Sequence, residues 1–292
     1  MRIAVFGRNI IPVFYESLKH LFAILQLHGA EVTVYRPFLE YMRRQIGFNP
    51  GGVTDFLHHH ELKQVDFFFS IGGDGAFLEA ISLVRDSGIP MVGINSGRLG
   101  FLADVAQQEL ESSLERFFDA KYFLQPRSLI KLDNELGLFG DFPYALNEFT
   151  VHKQDTSQMI TVHVEVGGDF LNSYWADGLI VSTPTGSTAY SLSVGGPIIT
   201  PTAANFIIAP IAPHNLAIRP VVLSDSEEIK LRIEGRGERY LASLDSRSEA
   251  FGADLEMKLS KAGFSINVLQ FDNQSFYSTL RNKLMWGIDK RN

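Results

Sequence analysis

The chain has 292 residues, 45% of them hydrophobic and 20% charged, so it can bury a sizeable core and intrinsic disorder is excluded. Its 33 acidic residues outweigh 26 basic ones, for a formal charge of -7; with no dense Lys/Arg run, this argues against a nucleic-acid or general polyanion binder. The lack of cysteine excludes disulfides, thiolate metal sites and cysteine nucleophiles, and no apolar run approaches the ~20 residues of a membrane helix, so no membrane partner and a cytoplasmic protein are expected.

The first hundred residues alternate strand and helix signals. Ile3–Phe6 is a short apolar run. Val13–His28 carries Phe14, Leu18, Leu21, Phe22 and Leu25 at helical spacing, and Gly29 stops that helix. Val32–Tyr35 reads as a second strand. Pro37 to about Glu61, with Asn49-Pro50-Gly51-Gly52 at its middle, reads as a mobile loop. Val65–Ile71 is a buried strand, Ala76–Arg85 a helix and Met91–Ile94 another strand. This order predicts an α/β domain with a Rossmann-like parallel sheet.

After about Val105 the texture changes. One helix remains, Glu109–Phe118. Ile160–Val166, Ile229–Glu234 and Leu255–Leu259 then alternate apolar and polar residues. Such alternation predicts a mainly antiparallel, β-rich C-terminal domain, with Gly167-Gly168-Asp169 and Gly235-Arg236-Gly237 as hairpin turns. Ser275–Trp286 returns to helical spacing. The expected division is residues 1–105, rejoined by the tail from about 272 to 292, and residues 106–271.

Three segments carry chemistry. The first is Gly72-Gly73-Asp74-Gly75, between an apolar strand and a helix. Its glycines let the backbone approach a ligand, and a helix start favours phosphate. One carboxylate inside a phosphate cradle needs a task, such as taking a proton or holding Mg²⁺; as a helix cap it would be merely structural. No Gly-Lys-Ser/Thr follows, so this is not a P-loop, and the dinucleotide fingerprint spacing is absent. The second is Asn147-Glu148, which could read a ribose or base edge; by itself the dipeptide reads more readily as a solvated strand end. The third runs from Trp175 to Pro197. There a buried strand, Leu179–Val181, ends in a hydroxyl-rich turn, and Gly186, Ser187 and Thr188 are expected to open a helix of small residues. Hydroxyls and free N–H groups at a helix start suit ribose and phosphate oxygens. His58-His59-His60 lacks acids or histidines at ligand spacing, so no metal site is expected there. No Gly-x-Ser-x-Gly elbow supports a serine hydrolase.

Taken together and in this order, these segments resemble the NAD kinase family. The resemblance extends to Ile94–Leu102, Ile208–Leu216 with Arg219-Pro220, and Leu280–Trp286, and so covers nearly the whole chain. Gly-Gly-Asp-Gly is shared with phosphofructokinases and lipid kinases and marks the superfamily; the stretch from Asp177 to Tyr190 is the specific one. The resemblance implies a diacylglycerol kinase/phosphofructokinase-like fold and transfer of the terminal phosphoryl group of ATP to the adenosine ribose 2′-hydroxyl of NAD, with Mg²⁺. It implies Asp74 as general base and Gly72, Gly73 and Gly75 at the donor phosphates. Phe101 would form the adenine pocket, and Asn147 and Glu148 would bind the adenosine portion. Asp177 and Ala189 would meet the nicotinamide end, with Thr188, Tyr190 and Ser193 completing the NAD site. A homodimer or homotetramer is implied as well. Ala76 where the family has Thr, Trp175 where it often has Arg, and Asp245-Ser246-Arg247 where it has Asp-Gly-Gln depart from the pattern. A lipid or sugar kinase and a catalytically silent nucleotide-binding regulator remain as alternatives.

Overall fold

The computed structural model describes residues 1–97, 100–154, 158–237, 239–252 and 255–286. Arg98 and Leu99 of the glycine-rich segment, and 287–292 of the tail, lie outside the described residues. The chain forms two compact units, Met1–Pro126 with Ile266–Asn292, and Arg127–Ser265. The crossings thus fall at 126/127 and 265/266, whereas the change of sequence texture lies near 105. The helix at 110–118 belongs with the first unit, because Leu110, Leu114 and Phe117 pack in that unit's core.

In the first unit the strands β1 (Arg2–Gly7), β2 (Glu31–Tyr35), β3 (Thr54–Phe56), β4 (Phe67–Gly72) and β5 (Met91–Asn95) form a parallel sheet in the order β3-β2-β1-β4-β5. β1, β4 and β5 are nearly continuous apolar runs, as strands covered on both faces require. The unit's helices before the first crossing are α1 (Tyr15–Leu27), α2 (Arg36–Tyr41), α3 (Asp74–Val84) and α4 (Leu110–Phe118). Leu18, Leu21 and Leu25 of α1 and Leu114 and Phe117 of α4 pack with Val5, Phe69, Ile71 and Val92 of the sheet.

The expectation of a mobile loop from Pro37 to Glu61 is corrected. That segment holds α2, a π-helical turn Met42–Ile46, β3 and a 3₁₀ turn His59–Leu62. Phe38, Leu39, Met42, Phe56 and Leu62 are buried, and these apolar anchors fix a segment whose Pro and Gly content read as loop. α3 also starts two residues before the expected Ala76, because Gly73 in extended conformation stands before it as N-cap.

The second unit is built from the part of β6 (Tyr122–Asn134) after Pro126, β7 (Tyr144–Ala145), β8 (Glu148–Lys153), β9 (Ile160–Val166), β10 (Asp169–Ala176), β11 (Gly178–Ser182), β12 (Asn205–Ile211), β13 (Val221–Ser224), β14 (Ile229–Glu234), β15 (Tyr240–Leu244), β16 (Arg247–Phe251) and the part of β17 (Glu256–Phe271) up to Ser265. One antiparallel sheet has the order β13-β12-β11-β8-β15-β16; the other runs β10-β9-β14-β17. Alternate residues of both sheets, among them Phe149, Val151, Leu179, Val181, Val162, Val164, Leu231 and Met257, share one core, which is the packing of a β-sandwich. The other face of β11 and β12 is covered too: Ile180, Ile207, Ala209 and Ile211 pack with Val194 and Ile199. Burial on both faces makes β11 an uninterrupted apolar strand.

Gly167-Gly168 forms the expected hairpin between β9 and β10, with φ +60° and +91°, backbone angles that favour glycine. Gly235–Gly237 is not a hairpin turn. It carries the chain from β14, which pairs with β9 and β17, to β15, which pairs with β8 and β16. Both strands alternate cleanly, and alternation does not say which sheet a strand joins.

Candidate active site

The sequence-derived site residues fall into two groups, each within its own unit. Gly72, Gly73, Asp74, Gly75 and Phe101 lie together in the first. β4 ends at Gly72, whose φ of +153° and closeness to Ala76 leave no room for a side chain: a Cβ would sit 2.6 Å from the Ala76 Cβ. Asp74 is the first residue of α3. Its carboxylate accepts three backbone N–H bonds, with Phe101 N at 2.9 Å from Oδ2 and Leu102 N and Ala103 N at 3.0 and 2.9 Å from Oδ1. Gly100 permits this approach, since a Cβ there would lie 1.8 Å from Asp74 Oδ1. A carboxylate offers roughly four acceptor positions. Oδ1 has both of its own filled and Oδ2 one, so the remaining position is on Oδ2.

Asp74 thus anchors the segment that carries Phe101, a structural role that its place in the turn did not suggest. Asn95 supports the same segment, taking Gly97 N on Oδ1 at 2.7 Å and donating from Nδ2 to Ala103 O at 3.2 Å. The C-terminal helix α6 (Phe276–Leu284) sets Lys283 Nζ 5.7 Å from the Phe101 ring centroid, within cation–π range.

In the second unit Asn147 and Glu148, both buried, enter β8. The turn after β11 closes over them. Thr183 N donates to Asn147 O at 2.9 Å, Thr183 Oγ1 to Leu146 O at 2.5 Å and Ser182 Oγ to Asn147 O at 3.2 Å. Ser187 Oγ bridges Pro184 O and the backbone of Ile199, and Thr188 Oγ1 donates to Thr185 O at 3.3 Å. The sequence reading gave these hydroxyls to ribose and phosphate. Most of them instead satisfy the backbone of a turn buried against β11, where an unpaired polar group is costly. The helix of small residues is correspondingly short, a 3₁₀ turn Thr185–Thr188 followed by one turn, α5 (Tyr190–Ser193).

The backbone N–H of Tyr190 donates to the Glu148 carboxylate, and the Tyr190 ring stacks on His152 with centroids 5.9 Å apart. Asp177 pairs with Lys153, Nζ to Oδ1 2.5 Å. Glu148, Asp177 and Tyr190 thus gather with His152 and Lys153, while Thr188 and Ala189 are half-buried and Ser193 is exposed beside them. His152 and Lys153 were not among the expected site residues; the alternation of β8 places His152 on the same face as Glu148 and Thr150 and opposite Gly178 of β11, while Lys153 follows at the strand end, its N–H on Asp177 O. Burial keeps the His152 imidazole below its ordinary range, against an upward pull from Asp177.

Glu148 is strongly perturbed by its surroundings. Burial, then the negative charge of Asp245, push it up to about 8 against the Tyr190 N–H. Its Oε2 is buried without a hydrogen-bond partner, so through the neutral range it carries a proton and can donate. Because its folded value is raised, the native chain holds a proton that the unfolded chain gives up, and stability falls as pH rises from the ordinary glutamate range to about 8. Glu148→Gln is expected to flatten that decline in thermal melts taken across a pH series; a melt series that falls as steeply in the variant would show that Glu148 does not titrate there.

Residues 16–122 match the family model described as the ATP-NAD kinase N-terminal domain, and residues 146–268 the one described as the ATP-NAD kinase C-terminal domain. A curated protein of Cytophaga hutchinsonii named NAD kinase is 45% identical over 292 residues, covering 100% of both chains; one of Bacteroides fragilis with the same name is 42% identical at the same coverage. Among solved structures, an NAD kinase from Archaeoglobus fulgidus in complex with ATP aligns with TM-score 0.76 at 26% identity, covering 98% of this chain and 99% of that one. Yeast NADH kinase complexed with NADH aligns with TM-score 0.85 over 98% of this chain and 88% of that one; at 20% identity it supports the fold.

Proposed function

The chain belongs to the NAD kinase family, and on that premise we propose that it transfers the terminal phosphoryl group of ATP to the adenosine ribose 2′-hydroxyl of NAD, giving NADP and ADP. The observation that carries the reading is Asp74, a single carboxylate at the start of α3, held by three N–H donors with one acceptor position left on Oδ2.

Phosphoryl transfer depends on positioning and charge stabilisation more than on covalent chemistry. A ribose hydroxyl is a poor nucleophile until a base takes its proton, and the acceptor position on Asp74 Oδ2 suits that role. Gly72, Gly73 and Gly75 keep side chains away from the start of α3, whose first N–H groups have no intrahelical acceptor and favour phosphate oxygens. Phe101, held by Asp74, offers an apolar ring to adenine. Asn147 and protonated Glu148 address the adenosine portion as donors. Asp177 and Ala189, with Thr188, Tyr190 and Ser193, address the nicotinamide end.

Among the described residues no group of three or more His, Asp or Glu could hold a metal ion. Magnesium is commonly held by one or two carboxylates together with substrate phosphates, so Mg²⁺ is expected to enter with ATP and neutralise phosphate charge. No described helix is long and apolar enough to cross a membrane. Family membership further supports a homodimer or homotetramer working in the cytoplasm, with NAD and ATP as its small-molecule partners.

The test is a coupled assay in which an NADP-specific dehydrogenase reports product from NAD, ATP and Mg²⁺. Product formation is the expected result. NAD binding without turnover would select a silent nucleotide-binding regulator, and phosphorylation of a lipid or sugar in place of NAD would select another member of the superfamily.

A further inference from the structure

The turn Asp245-Ser246-Arg247 stands where the family pattern has Asp-Gly-Gln, and nothing in the proposed chemistry uses it. Its contacts are concentrated on one target. Asp245 Oδ2 accepts from Leu146 N at 2.9 Å, and Oδ1 accepts from Asn147 N at 2.8 Å and Glu148 N at 3.2 Å. The Asp245 N–H donates back to Glu148 O at 3.0 Å. Two residues on, Arg247 donates to Phe142 O at 2.6 Å and to Tyr144 O, and its guanidinium lies over the rings of Phe139 and Phe142 at 5.7 and 5.2 Å. The acid therefore takes the N–H groups of 146–148 and the base takes the carbonyls of 142 and 144. One tight turn grips the approach to β8 from both polarities. The arrangement is held at a backbone cost, since Asp245 has φ +53°, a left-handed conformation tolerated by Asp more readily than by most residues.

We propose that the Asp245-Ser246-Arg247 turn is a clasp that sets the conformation of Asn147 and Glu148, and that Asp245 is a positioning residue for adenosine recognition in NAD. The proposal rests on the NAD kinase reading above. Its geometric content is specific. Three consecutive N–H groups converging on one carboxylate orient the peptide planes on either side of Asn147, and so the directions in which the Asn147 and Glu148 side chains leave the backbone. Arg247 removes freedom from the preceding residues.

The clasp also acts through charge. The groups that face the Glu148 carboxylate are Asp245 from the β15–β16 turn and the Tyr190 N–H from α5; Arg247 in turn draws on Asp245, and His152 on the same strand lies behind the Tyr190 ring. Although Asp245 as a residue keeps partial exposure, its carboxylate turns inward, and burial raises it above its ordinary range against those three N–H bonds and Arg247. The two acids therefore titrate as a pair. With three N–H donors on its carboxylate, Asp245 is the better placed of the pair to hold the negative charge, which leaves the proton on Glu148, where Oε2 has no partner and can donate to a ribose or base acceptor.

The experiment is steady-state kinetics of full-length Asp245→Asn with NAD and ATP varied separately, with a pH profile of kcat/KM for NAD. Asn keeps the size and one acceptor, loses the charge and turns an amide against one of the three N–H groups. KM for NAD is expected to rise about 10-fold or more while KM for ATP stays within about 2-fold, and the limb that reports Glu148 is expected to move to lower pH as the repulsion is lost. A merely structural residue would lower the melting temperature without that split and without moving the limb, and that result overturns the proposal. If Asp245→Asn does not fold, Arg247→Lys decides. A lysine ammonium cannot hold both carbonyls, so KM for NAD is expected to rise about 3- to 10-fold with KM for ATP unchanged, and an unchanged KM for NAD contradicts the clasp. Wild-type protein that makes no NADP defeats the underlying reading, whereas active wild type with unaffected variants defeats only the clasp.

Discussion

Asp74→Asn is expected to lower kcat for NADP formation by about 10²–10⁴-fold, the usual contribution of a positioned general base. The amide has no basic oxygen on one side, so the ribose proton has nowhere to go. The structure adds a second effect. In the wild type Oδ1 and Oδ2 accept N–H bonds from Phe101, Leu102 and Ala103, and whichever position becomes NH₂ faces a backbone donor. The loss is smallest with the NH₂ at the Oδ2 position, where one hydrogen bond, from Phe101 N, gives way to a donor–donor contact at a cost of about 1–3 kcal/mol; at the Oδ1 position two would go. The Phe101 segment loosens, and KM for NAD is expected to rise as well, by less than about 10-fold. The two effects separate in steady-state kinetics. A near wild-type kcat would remove Asp74 from proton transfer; a raised KM with unchanged kcat would leave it the anchoring role alone.

Gly186→Ala is expected to be the most damaging single methyl in the second unit. A Cβ at position 186 would lie 2.1 Å from Asn147 O, 2.5 Å from its carbonyl carbon and 2.5 Å from Ser182 Oγ. Two of these are backbone atoms that cannot swing aside. The segment is wholly buried: Ser182, Thr183, Gly186 and Ser187 pack between β8 and the covering residues around Ile199. Overpacking of this kind costs about 1–3 kcal/mol, and the relief available is displacement of Asn147. The expected result is a lower melting temperature together with at least about a 10-fold loss of kcat/KM for NAD. A variant that melts lower yet keeps its kcat/KM for NAD would show that the position of Asn147 is immaterial to substrate.

The turn that carries Asp74 was legible because its glycines and its acid each had one physical use. Gly72-Gly73-Asp74-Gly75 between an apolar strand and a helix announced a turn that brings a carboxylate to a helix start, and β4, α3 and Asp74 stand in that relation. The run Leu179–Val181 announced a strand buried on both faces. The misreadings have equally definite causes. Hydroxyls were counted as ligand groups, but Ser182, Thr183 and Ser187 are spent on the backbone they help to bury. A composition of Pro, Gly and His hid the anchors Phe38, Met42 and Phe56. Gly235–Gly237 looked like any hairpin turn, since nothing local says that β15 joins the other sheet. Asp245 and Glu148 lie 97 residues apart, and only their pairing across β8 and β15 turns two ordinary acids into one coupled unit.

The proposed reaction places phosphate on one oxygen of one sugar. A ³¹P NMR spectrum of the products formed by the wild-type protein from NAD, ATP and Mg²⁺ reads that atom directly. A single new phosphomonoester on the adenosine ribose 2′ position is expected, growing in step with the loss of the ATP γ signal. ATP consumed with no phosphomonoester on NAD, or one at another hydroxyl, would contradict it.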